Sequence, residues 1–129
     1  MGNKEPQYRL TLNSQQAHEL LHAVELFMRL KLGQYEELPF SLIDLDRDDF
    51  CDRRDEARAY LKPAFEALLG WKKIGGYKDD QWYRLYNMYQ VVRYAIHNAE
   101  HPESTGVDSY PPLQFTSEPL PIIETIQGE

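Results

Sequence analysis

The chain has 129 residues, 42% hydrophobic and 12% aromatic, enough for a single domain with one hydrophobic core. Its net charge of −7 excludes the basic face of a nucleic-acid binder, although a few local arginines still suffice for a small anion. One cysteine, Cys51, excludes an intrachain disulfide, and no apolar run reaches membrane-spanning length, so a cytoplasmic protein without membrane association is expected. Residues 1–10 carry no signal-peptide core, and Pro6 stands where a myristoylation signal needs Ser or Thr.

Tyr8-Arg9-Leu10-Thr11-Leu12 alternates as a short strand does. Asn13 or Ser14 then starts a helix, with Gln16 at capping-box distance from Asn13 and Gly33 as the stop. Its main face is Ala17, Leu20, Leu21, Val24, Phe27, Met28 and Leu32; a second stripe holds Ala23, Leu26 and Leu30. A helix apolar on two sides is usually covered on both, so a central helix or a homo-oligomer interface is expected.

A short helix interrupted near Pro39 falls in 34–43, followed by an acidic loop over 44–49. A second long helix spans about 52–69, with Ala57, Tyr60, Leu61, Ala64 and Leu68 inward and Pro63 as a kink or break. The linker 71–78 carries Lys72, Lys73 and Lys78 around Gly75-Gly76, and Asp79 or Asp80 caps the third long helix, which ends near Glu100. On that helix Leu85, Met88, Val92, Ala95, Ile96 and Ala99 share a face bordered by Trp82 and Tyr89, with Tyr86, Arg93 and His97 just beyond. From His101 on, five prolines (102, 111, 112, 119 and 121) forbid a helix and predict an extended arm, with a strand over 121–126 beside 8–12.

Several runs resemble small accessory proteins of tailed bacteriophages. They are Leu10-Thr11-Leu12, the run Ala23 to Leu30, Gly33 to Leu38, Leu85 to Tyr94, and the ending Glu118 to Glu124. The resemblance covers most of the chain. It implies an anti-defence role in the cytoplasm of an infected bacterial host, by sequestering a nucleotide second messenger or by blocking a defence protein.

Three constellations bear on chemistry. His18-Glu19-Leu20-Leu21-His22 has the H-E-x-x-H letters of a zinc hydrolase, but only 17 residues precede it and the pair shares its side with Glu25 and Arg29, as a solvated face does. Asp44 to Asp55 resembles a calcium loop, yet Asp49 stands at the required glycine position and Arg47, Arg53 and Arg54 oppose a cation. Arg93 and His97, one turn apart, suit a phosphate.

The expectation is an α+β, mainly α single domain over 1–129: three long helices, a short N-terminal strand and an extended Pro-rich C-terminal arm. Functionally it is a non-enzymatic homo-oligomer, without cofactor, sequestering a small anionic nucleotide-type ligand such as a cyclic nucleotide or an ADP-ribose derivative. Trp82, Tyr86 and Tyr89 supply stacking surface; Arg84, Arg93, His97 and Arg29 supply anion contacts. The alternatives are a protein–protein inhibitor of a host factor and a small zinc hydrolase built on His18, Glu19 and His22.

Overall fold

The computed structural model describes residues 5–70 and 78–126. Its elements are α1 (Ser14–Lys31), α2 (Glu37–Leu42), α3 (Phe50–Leu69), α4 (Asp80–Glu100) and a 3-10 turn (Val107–Ser109). No strand forms among the described residues, which corrects the expected α+β class to an all-helical one. The alternation of residues 8–12 is a local signal, whereas a strand needs a partner edge; Tyr8 and Leu10 instead stand 88% and 73% exposed. Residues 121–126 likewise run extended and exposed. Of the linker expected over 71–78, residues 71–77 lie outside the described residues.

Local chemistry sets the helix ends. The Asn13 side chain accepts from the Gln16 backbone N–H at 2.8 Å while the Gln16 side chain accepts from the Asn13 backbone at 3.0 Å, closing the capping box of α1. Gly33, at φ +78°, turns the chain out of α1 in the left-handed region that other residues avoid. Pro39 sits in the first turn of α2, where its missing N–H is not needed, so it does not interrupt that helix. Pro63 lies inside α3, which continues through it.

The core lies between α1 and α4, which run antiparallel. Val24, Met28 and Leu32 of α1 close on Trp82 of α4, flanked by Leu20, Tyr83, Leu85, Tyr86 and Tyr89. The Trp82 indole donates to the Met28 carbonyl at 3.2 Å, satisfying one of the last-turn acceptors that α1 leaves open. Polar contacts tie the ends of the pair. Ser14 and His18 reach Glu100 at 2.8 and 2.9 Å, and Lys31 reaches Asp79 and Gln81 at 3.1 and 2.7 Å.

By contrast, α3 packs against α2 alone among the described helices, aided by a Tyr35–Phe65 ring contact. Phe50 is its buried residue. Tyr60 and Leu68, expected inward, are 72% and 78% exposed. Ala64 is exposed as well and only Ala57 and Leu61 are half-buried, so among the described residues most of the face expected inward stands uncovered.

Candidate functional site

α4 positions most of the predicted site residues. Asp79 caps it, accepting from the Trp82 N–H at 2.8 Å; that bond first, then Lys31, holds its carboxyl below the usual range. Trp82, Tyr86, Tyr89 and Arg93 follow at steps of four, three and four, so they line one side of the helix. Their rings stack nearly parallel, Trp82 on Tyr86 at 5.2 Å and Tyr86 on Tyr89 at 6.3 Å. Lys78 stands 4.6 Å over Trp82 and Arg93 stands 5.0 Å over Tyr89, so a cation closes each end of the column. The column packs toward α1, and burial, followed by the Glu25 carboxylate, raises the Tyr89 hydroxyl above its ordinary pKa.

An adjacent strip of α4 holds the C-terminal arm. Gln90 donates to the Leu113 carbonyl at 2.9 Å and accepts from the Leu113 N–H at 3.1 Å, so one side-chain amide pairs with a backbone amide as a neighbouring strand would. Asn87 holds the next residues differently, accepting from the Phe115 N–H at 3.0 Å and donating to the Thr116 side-chain hydroxyl at 2.9 Å. The Phe115 ring lies 5.9 Å from Tyr83 and 5.3 Å from Tyr86. Arg84 donates to both Glu118 oxygens at 3.2–3.3 Å, which holds that carboxyl low, with the Thr116 hydroxyl adding to the effect.

Of the predicted ligand residues, the structure brings Trp82, Tyr86, Tyr89 and Arg93 together and assigns each a neighbour within the protein. Trp82 and His97 are buried; His97 Nδ1 lies 3.2 Å from the Ser104 hydroxyl. Arg84 is engaged by Glu118, and Arg29, on α1, reaches Glu25 at 3.4 Å and Gln34 at 3.3 Å. Arg93 is only 11% exposed, its Nε makes no hydrogen bond, and the nearest carboxylate, Asp108 of the 3-10 turn, stands 3.8 Å away. A shallow open groove of about 330 Å³ lies elsewhere, lined by Ile43, Arg53, Glu56, Ala57 and Tyr60.

Sequence reasoning missed Asn87 and Gln90, which are 3% and 5% exposed. Their signal was available. Two amides three residues apart within the aromatic run of α4, followed by a proline-rich segment that cannot pair with itself, match the donors and acceptors of an extended segment.

The metal-like motifs are engaged otherwise. His18 pairs with Glu100, whose carboxyl is held low by His18 first and Ser14 second, while His22 is exposed. Asp49 takes Arg47 and Arg53 at 2.8 and 2.6 Å, and both hold its carboxyl far below the usual range. Among the described residues, no three His, Cys, Asp or Glu side chains converge as a metal ion would require. No described helix is long and apolar enough to cross a membrane.

No known protein family matches the chain, and neither a curated protein nor a solved structure among those compared resembles it.

Proposed function

We propose that this is a non-enzymatic interaction protein that works by binding protein through the apolar surface its own fold leaves uncovered. One observation carries the reading. Among the described residues sixteen large apolar side chains stand exposed against eight hydrophobic ones that are buried. Much of the large apolar surface falls on α3 and the arm, at Tyr60, Leu68, Val107, Tyr110, Leu113 and Ile122. Large apolar side chains left exposed on an element that packs on little else are the features by which protein contacts are recognised. The resemblance to phage accessory proteins supplies the setting, a host factor bound and blocked during infection; self-association belongs to the same reading.

The experiment places a photo-crosslinking residue at Leu68 or at Tyr110 in expressing cells. The reading expects discrete protein adducts from at least one position. Illumination that leaves both variants at monomer mass contradicts it.

Sequestration of a small nucleotide-type anion is the second reading, favoured by Arg93. Its buried Nε lacks a hydrogen bond beside the Tyr89 ring, and an anion displacing Asp108 would satisfy it. A rise in melting temperature with cyclic nucleotides or ADP-ribose, absent in Arg93→Ala, is the expected outcome; equal curves with and without these ligands contradict it.

A further inference from the structure

The uncovered face of α3 has an internal pattern. Phe50, Arg54, Ala57, Leu61, Ala64 and Leu68 follow at alternating steps of four and three, the spacing of a coiled-coil seam. The first part of the seam is covered from within. Phe50 packs on Phe40 at 5.5 Å, and the Arg54 guanidinium lies 5.9 Å over the Phe50 ring. Further along, Ala57 and Leu61 are half-buried while Ala64 and Leu68 stand exposed. Pro63 falls on the opposite side of the helix from Leu61, so it leaves the seam clear.

We infer that α3 pairs antiparallel with α3 of a second copy of this chain, an inference that rests on the interaction reading above. The seam alternates small and large residues, and that alternation selects the orientation. Antiparallel pairing about a two-fold axis between Lys62 and Pro63 sets Leu61 against Ala64 of the second copy and Ala57 against its Leu68. Every leucine then meets an alanine, and Tyr60 meets Ala67 in the flanking position. Parallel pairing stacks leucine on leucine and alanine on alanine, leaving voids at each alanine layer.

A shallow open groove of about 330 Å³ lies on this face, with Ala57, Tyr60 and Ile43 in its lining. Leu68, 78% exposed, is the residue that antiparallel pairing brings to Ala57. Arg53 and Glu56 line the same groove and provide a polar rim.

The test has two parts. Sedimentation velocity of the full chain at tens of micromolar is expected to give a dimer, and Leu68→Asp is expected to weaken it at least tenfold with an unchanged circular dichroism spectrum, because Leu68 is exposed in the single chain. For the register, Ala57→Cys and Leu68→Cys are combined in a Cys51→Ser background and oxidised. Eleven residues along a helix span about 16 Å, too far for a disulfide within one chain, so a covalent dimer is expected from the double variant and not from either single one. A monomeric wild type, or cross-linking of Leu68→Cys alone as parallel pairing requires, overturns the inference. A monomeric wild type with photo-adducts to a different protein at Leu68 sinks self-pairing and leaves the interaction reading standing. A monomeric wild type with no adduct at all sinks both.

Discussion

Gln90 shows how one side chain can hold a segment with no secondary structure of its own. Its two bonds to the Leu113 amide are buried on the helix side and replace the ladder the arm lacks. Gln90→Ala removes both at about 1 kcal/mol each, so the arm is held roughly 2 kcal/mol less tightly. Faster amide exchange at Leu113 and Phe115, with α1 protection unchanged, is the expected result. The Arg84–Glu118 pair adds a pH dependence. Because Arg84 holds the Glu118 carboxyl below its ordinary value, this contribution is present above the ordinary carboxylate range, about pH 4.3, and fades as pH falls through the lower folded value. Proteolysis of the arm is therefore expected to accelerate on acidification, and Glu118→Gln is expected to behave at neutral pH as the wild type does in acid.

Among the elements, α3 stands apart. It carries a proline in its interior and buries one large residue, so neither propensity nor packing within the chain accounts for its length. Pro63→Ala restores a backbone donor on an exposed face and is expected to favour helical α3 by up to about 3 kcal/mol, read as added helicity and a higher melting temperature. An unchanged or lower melting temperature would mean that Pro63 fits its site better than the helix rule allows. The helix ends were legible because they are local: Asn13 with Gln16, Gly33 and Asp79 each act within one turn. The strands were misread because alternation at 8–12 and apolar content at 121–126 say nothing about whether two segments meet. The buried face of α4 was misread for a related reason. Counting apolar residues favoured Met88 and Ala99, which are exposed, over Asn87 and Gln90, which the arm buries. For the candidate site, the stacking residues were legible from their helical spacing, but their neighbours were not. Glu118 reaches Arg84 across 34 positions of the chain, a contact that no local pattern encodes, and Ser104 reaches His97 from the turn just past the helix end.

At the scale of the whole molecule, the chain divides its resources unevenly. The α1–α4 pair with the arm laid over it uses aromatic stacking, capped ends and buried amides. The α2–α3 side uses little of its apolar content internally, and among the described residues no large side chain is fully buried. With eight hydrophobic side chains buried among the described residues, the hydrophobic contribution to the single chain's stability is modest. On the proposed reading, cover from another protein supplies what the single chain lacks. The most direct measurement is hydrogen exchange of the α3 amides from Ala57 to Leu68 in purified protein at high and low micromolar concentration. Strong protection that falls on dilution is the predicted result. Rapid exchange at both concentrations, at the rate of an open helix, would contradict the claim that this face is covered by a second copy.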